Sequence, residues 1–117
     1  MKQRLINDNL ARALHQPLYQ RMVAFCQQYT PEFPAQLVAE TWLKRLYNGD
    51  DKLHVLIRFD DQWNINGHAI VEVQEAYGYK VVYCHQAQSD KGVKSTFEED
   101  MEYVEKLRTQ VGAYCSV

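Results

Sequence analysis

The sequence predicts an α+β fold built from two helices, a three-strand antiparallel meander and one further helix. Apolar residues recur at helical spacing before residue 48 and after residue 95, whereas between Leu53 and Gln88 they alternate as they do in strands. The connections inside that middle region are short, and only antiparallel neighbours can be joined by so few residues. Helices set apart from an antiparallel sheet define the α+β class.

The chain is expected to form a single domain over residues 1–117, with residues 1–15 as a flexible or short helical lead-in. The formal net charge is −2, so the basic surface of a nucleic-acid binder is missing and no sequence-specific nucleic-acid partner is expected. No stretch approaches the ~18 apolar residues that cross a bilayer, and the start MKQRLINDNLARAL is not a secretory signal. We therefore expect no membrane partner and a cytoplasmic location.

The three cysteines, Cys26, Cys84 and Cys115, are widely spaced and form no C-x-x-C motif. This usage is typical of free thiols in a reducing compartment, and neither a redox pair nor a metal site is expected.

Two helices are predicted first. One runs from about Gln16 to Tyr29 after a short helical turn, with Pro17 tolerated in its first turn. The second runs from about Pro34 to Tyr47 and ends at Asn48-Gly49, because both residues tolerate the left-handed conformation of a helix C-terminus.

Three strands follow, over Leu53–Phe59, Ile65–Glu75 and Tyr79–Gln88. Ala76-Tyr77-Gly78 is a tight connection in which the glycine can adopt a positive φ.

A polar loop, Ser89–Lys94, precedes the last predicted helix. Ser95 and Glu98 form a capping-box pattern, and the helix is expected to end at Gly112. The residues after Gly112 could start one more short strand.

The histidines of the second hairpin are predicted to face apart. If the hairpin is centred on Tyr77, His85 lies opposite Ala69 and His68 lies opposite Gln86, so the two imidazoles point to opposite faces. They are therefore poor candidates for a shared metal.

A row of polar side chains is predicted on one strand face, formed by His68, Glu72 and Lys80 together with Gln74 and Gln86. The row is either a half-solvated strand face or the floor of a binding cleft.

Catalytic chemistry has weaker support. Glu72 and Glu75 could act as general bases if buried, although a carboxylate on a half-exposed strand is more often plain surface. Cys84 and His85 are adjacent on a strand and face apart, so they cannot form a thiolate pair directly.

Three tyrosines, Tyr77, Tyr79 and Tyr83, cluster at one hairpin. They either pack with their hydroxyls at the rim or form an exposed aromatic patch for a protein partner, since tyrosine is enriched in interfaces.

The loop before the last helix could hold an anion, because a helix N-terminus offers free N–H groups and Lys91 and Lys94 add positive charge. The acidic run Glu98, Glu99 and Asp100 counts against a polyphosphate there.

The stretch HVLIRFDDQWNINGHAIVEVQEAYGYKVVYCHQAQ, with the preceding helix ETWLKRLYNGDDK, resembles strands two to four of GNAT-type acyltransferases. The resemblance extends from about Leu37 to Gly112 and implies the N-terminal half of that fold. More narrowly, it is similar to the small GNAT-like proteins of tailed bacteriophages.

In that family the loop after the third of these strands carries Q/R-x-x-G-x-G/A, whose amides hold the pyrophosphate of acetyl-CoA. The corresponding residues here are 89–94, of which only Gly92 matches. A side chain at Lys94 would crowd the close approach that phosphates need. The family's later strands are not found after the last helix, so the sheet is expected to be truncated with an open edge beyond Gln88 that a partner or a second copy covers.

These departures favour a non-catalytic GNAT-like structural or interaction protein, plausibly a phage virion or assembly component in the host cytoplasm or virion. It would have no catalytic residue and no cofactor, and would bind a protein partner or itself through Tyr77, Tyr79 and Tyr83. One alternative is an active acyl-CoA-dependent N-acetyltransferase in which Gly92, Lys91 and Lys94 contact acetyl-CoA. The other is a small regulatory protein that binds a host enzyme.

Overall fold

The computed structural model describes residues 2–5, 12–62, 64–90, 97–113 and 115–116. Its helices and strands, in chain order, are β1 (Lys2–Leu5), α1 (His15–Tyr29), α2 (Ala35–Tyr47), β2 (Leu53–Phe59), β3 (Ile65–Ala76), β4 (Tyr79–Ser89), α3 (Phe97–Val111) and β5 (Cys115–Ser116). Within the described ranges the strands form one five-stranded sheet in the order β1-β2-β3-β4-β5. Each neighbouring pair among the first four strands is antiparallel, and β5 is parallel to β4.

The predicted α+β fold and its three-strand meander are confirmed. Strand β2 has the predicted bounds, and β3 and β4 each extend one residue further than predicted. Strand β2 lies between two packed layers and buries both of its faces, since Val55, Leu56 and Ile57 are at most 3% exposed.

The expectation of a flexible or short helical lead-in over residues 1–15 is corrected at Lys2–Leu5, which pairs with β2 in register Lys2↔Phe59 to Leu5↔Leu56. The short charged stretch KQRL has no strand periodicity, so only its position beside β2 identifies it as a strand. At the other edge, Cys115–Ser116 forms the short strand that the sequence suggested.

The turn between β3 and β4 consists of Tyr77 and Gly78, with φ of 54° and 81°. Two consecutive positive φ values are the requirement of the tight hairpin turn whose twist matches the flanking strands. Ala76 therefore pairs directly with Tyr79, which sets the register of the whole hairpin.

A β-bulge interrupts this hairpin. Ile70 pairs with Gln86 while Val71 pairs with Cys84, so His85 is one extra residue in β4. A bulge leaves the extra residue out of the ladder and re-aims its side chain.

Helices cover both faces of the sheet. Helices α1 and α2 pack on one face, and α3 packs on the other. The first core consists of Leu18, Met22, Ala39, Leu43, Leu46, Leu53, Val55, Ile57, Phe59 and Ile70. The second consists of Val71, Val82, Val104, Leu107 and Ala113. No helix in the described residues is long and apolar enough to cross a membrane.

The outer side of β4 is paired over a short distance only. Strand β5 pairs with Val81 and Val82. Among the described residues, the rest of β4, from Tyr83 to Ser89, has β3 as its one neighbouring strand. For the described strands, the edge predicted to be open beyond Gln88 begins before that residue.

Candidate functional site

His85, the unpaired residue of the bulge, lies against a carboxylate on the neighbouring strand. His85 Nε2 lies 2.9 Å from Glu72 Oε1, and both side chains are largely buried, at 21% and 14% exposure. Gln74 donates a second hydrogen bond to Oε1 at 2.8 Å, and Arg45 Nη2 donates to Oε2 at 2.5 Å. Both oxygens of Glu72 are therefore engaged by donors.

These donors determine the charge of Glu72. Burial by itself would raise the pKa of this carboxyl, but the hydrogen bonds from Gln74, His85 and Arg45, together with the charge of Arg45, outweigh burial and lower the pKa to about 2. Glu72 is thus ionised at neutral pH and accepts hydrogen bonds only. His85 must donate from Nε2, which leaves Nδ1 of the neutral ring as the nitrogen that can accept a proton.

Helix α2 positions the other side of this cluster. Arg45 lies in its last turn, where a cation is favoured by the helix dipole, and it also bonds Asp50 Oδ2 at 2.8 Å. Trp42, one turn earlier, packs against His85 with ring centroids 4.4 Å apart. The side chains form a row of alternating charges in the order Asp50, Arg45 and Glu72. The row ends at the imidazole of His85, which bonds Glu72.

His85 lies in the wall of a cleft of about 350 Å³ on the α1–α2 face of the sheet. The cleft is lined by Phe25, Thr30, Phe33, Val38, Trp42, Tyr83, His85 and Gln86. These residues come from α1, the α1–α2 connection, α2 and β4. An apolar cleft with a few convergent polar groups is the usual form of a small-molecule site.

A second histidine lies deeper on the same face. His68 is 2% exposed; its Nε2 donates to Gln86 Oε1 at 2.9 Å, and its Nδ1 accepts from Arg21 Nε at 3.4 Å. Gln86 in turn donates to the carbonyl of Met22, and Arg21 pairs with Asp90 at 2.8 Å. Burial lowers the pKa of His68 to about 4, and the nearby charge of Arg21 acts in the same direction. His68 is therefore a neutral, structural imidazole beneath the cleft.

The prediction that His68 and His85 point to opposite faces is wrong. His68 contacts Phe25 of α1 and His85 contacts Trp42 of α2, so both lie on the helical face that α1 and α2 cover. The observed hairpin pairs Ala76 with Tyr79, which shifts the register by one residue from the predicted one and places Tyr83 and His85 on the face of Glu72. The bulge then brings Gln86 onto that same face. A tight Tyr77-Gly78 turn is the one sequence signal that could have shifted the predicted register toward the observed one.

The predicted polar row is largely present. His68, Glu72, Gln74 and Gln86 share the α1–α2 face, as their hydrogen bonds show. Lys80 is an exception, since it pairs with Glu75 and lines a depression with Val73 on the α3 side. Of the two interpretations of the row, the floor of a binding cleft fits Gln86, because this residue lines the cleft described above.

The predicted cofactor-binding residues Lys91, Gly92 and Lys94 lie outside the described residues, as does the predicted Ser95 cap. Of the predicted interaction residues, Tyr77 is fully exposed and Tyr79 is 60% exposed, whereas Tyr83 lines the cleft. Contact of these tyrosines with a partner stays a prediction.

No protein-family model and no curated protein sequence matches the chain. Solved structures do match it. An aminoglycoside acetyltransferase from an uncultured soil metagenomic sample aligns with a TM-score of 0.68 and 15% identity over 99% of this chain and 76% of that one. A ribosomal-protein-alanine N-acetyltransferase from Brucella melitensis biovar Abortus 2308 aligns with a TM-score of 0.65 and 14% identity over 100% and 78%. AAC(6')-Iy, in complex with the bisubstrate analog CoA-S-monomethyl-acetylneamine, aligns with a TM-score of 0.61 and 15% identity over 99% and 76%.

These matches correct the predicted function. The prediction of a non-catalytic structural or interaction protein, as a phage virion or assembly component, is contradicted because the similar structures are acetyltransferases. At identities of this size the likeness establishes the architecture, and the chain has the α+β fold of the GNAT-family acetyltransferases.

Proposed function

We propose that the chain is an acyl-CoA-dependent N-acyltransferase in which His85 is the general base. The observation that carries the proposal is the His85–Glu72 pair at the β4 bulge, in the wall of a cleft on a GNAT-like fold. Bulges are over-represented beside active sites, where they re-aim a side chain.

His85 is suited to remove a proton from an attacking amine. Glu72 accepts the Nε2–H, fixes the tautomer and stabilises the imidazolium that forms when Nδ1 takes the proton. Arg45 and Gln74 keep Glu72 ionised and oriented, so they act as positioning residues. A bound acyl-CoA would supply the acyl group as a thioester, with its thiolate as the leaving group.

The described residues fit an acyl-CoA arm at the edge of β4. From Tyr83 to Ser89 this strand has no described neighbour on its outer side, and an extended chain can add to such an edge through backbone hydrogen bonds. Lys91, Gly92 and Lys94 follow β4 directly in the sequence, and we assign them to the phosphates of the cofactor.

The test measures acetyl transfer from acetyl-CoA to a panel of primary amines, with the release of free thiol as the readout. His85→Gln should lower kcat about 10²-fold or more while KM for the amine changes little, because a proton-transfer group rather than a binding group is removed.

His54→Gln is the matched control. His54 lies on β2 and bonds the hydroxyl of Tyr103 on the α3 side of the sheet, away from the cleft. Its kcat should equal that of the wild type. Equal kcat values for His85→Gln and His54→Gln would reject His85 as the base, and absence of transfer to every amine would reject the function.

A further inference from the structure

We propose that the acyl acceptor is a small primary amine carrying one aromatic or aliphatic group and no second positive charge. This inference rests on the proposed function and concerns the same site, for which the fold relatives do not set the substrate class.

The walls of the cleft determine which substituent is favourable. Four of the eight lining side chains are phenylalanine, tryptophan or tyrosine, namely Phe25, Phe33, Trp42 and Tyr83, and Val38 adds an aliphatic side chain. Aromatic side chains bury large apolar areas and stack in offset or edge-to-face arrangements with a second ring. An aryl or alkyl group on the acceptor would therefore be buried favourably while its amine meets His85.

The charges around the cleft exclude polycations. None of the described lining residues is an aspartate, glutamate, lysine or arginine. The carboxylate behind the wall, Glu72, already accepts from His85, Gln74 and Arg45. A second ammonium group would lose its hydration without gaining a carboxylate, which is strongly unfavourable.

The neutral polar groups do not compensate for this. Gln86 is 5% exposed and is held between His68 and the carbonyl of Met22, so its amide is committed to the fold. Thr30 bonds Cys26 of the preceding helix. The site therefore lacks the array of acceptors that an aminoglycoside or a polyamine requires.

The volume of the cleft also favours a small acceptor. About 350 Å³ is near the lower bound of ligand sites, which extend from roughly 300 to 1,000 Å³. A single ring with a short amine-bearing chain fits this space, whereas a sugar-based amine of several rings exceeds it.

The inference is tested by comparing kcat/KM for 2-phenylethylamine and butylamine with that for spermidine and kanamycin at one pH and saturating acetyl-CoA. We expect 2-phenylethylamine to exceed both polycations by about tenfold or more, as a desolvated unpaired charge implies. Binding is measured separately, by quenching of Trp42 fluorescence in a Trp63→Phe background.

Phe33→Asp places a carboxylate in the cleft wall and should lower the ratio of 2-phenylethylamine to spermidine activity about tenfold. Leu37→Asp is the matched control, because Leu37 is 58% exposed against 55% for Phe33 and does not line the cleft. It should leave the ratio unchanged.

The outcomes separate the two proposals. Spermidine or kanamycin as the better acceptor would overturn the substrate class while supporting acyl transfer. Quenching by 2-phenylethylamine without transfer to any amine would support binding of such an amine in the cleft and would reject both the acceptor role and the proposed function. Absence of both transfer and quenching would overturn the inference as well.

Discussion

The buried histidine beneath the cleft gives the protein a stability that depends on pH in a defined range. His68 has a pKa of about 4 in the folded protein against 6.5 for the free side chain. Its pKa is lower in the folded state, so the unfolded chain binds the proton first and stability falls as pH decreases from about 6.5 to 4. Since one pKa unit corresponds to about 1.4 kcal/mol, the free energy of unfolding should be about 2 kcal/mol lower at pH 5 than at pH 7.5 from this group alone.

The perturbation is His68→Gln, with His68→Asn as a second non-titrating replacement. Either variant loses the edge contact with Phe25 and should be less stable than the wild type at pH 7.5. The informative quantity is the change between pH 7.5 and pH 5, which should shrink by about 2 kcal/mol in both variants. Urea unfolding followed by tryptophan fluorescence measures it by linear extrapolation.

The charged groups that face His68 do not reverse this sign. Arg21 of α1 opposes protonation, Asp90 after β4 favours it, and burial exceeds both effects. If the wild type and both variants lost the same free energy over this interval, His68 would not be a buried neutral imidazole.

Four further outcomes are expected. Tyr77→Asn should raise stability by about 0.5–1 kcal/mol, read as a higher Tm, because asparagine tolerates the φ of 54° better than tyrosine does. Gly78→Ala should lower stability by about 1 kcal/mol or more in urea unfolding, because its φ is 81°; an unchanged midpoint would contradict the observed turn. Leu43→Ala should cost about 2–5 kcal/mol by the same assay, since this side chain is 1% exposed in the α1–α2 core. The pKa of Glu72 is lowered to about 2 from 4.5, so its stabilising contribution is full above about pH 4.5 and is lost toward pH 2. The stability difference between wild type and Glu72→Gln should therefore shrink from pH 5 to pH 3, and a constant difference would disprove the ion pair.

Much of the fold is predictable because local patterns determine it. The alternation over Leu53–Phe59 fixed that strand to the residue, and Asn48-Gly49 marked the end of α2, where Gly49 has a φ of 74°. Strand β1 was not predictable, since the pairing of Lys2–Leu5 depends on a neighbour distant in the sequence.

The candidate site was missed because the predicted hairpin register was one residue from the observed one. Centring the hairpin on Tyr77 alone placed His85 on the wrong face, whereas the Tyr77-Gly78 turn puts Tyr83 and His85 on the face of Glu72. Glu72 was recognised as a possible base, but three donors make it an orienting carboxylate instead. One of them, Arg45, comes from helix α2, whose placement against β3 the sequence does not reveal.

The sequential order of the sheet has a consequence for how the chain folds. Strands β2, β3 and β4 are joined by short turns, so their pairings close small loops and can form early, whereas the pairing of Lys2 with Phe59 closes a loop that includes both α1 and α2. We therefore expect the hairpin that carries Glu72 and His85 to belong to the folding nucleus, with β1 joining the sheet late. Substitutions in that hairpin should slow folding, and substitutions in β1 should mainly accelerate unfolding.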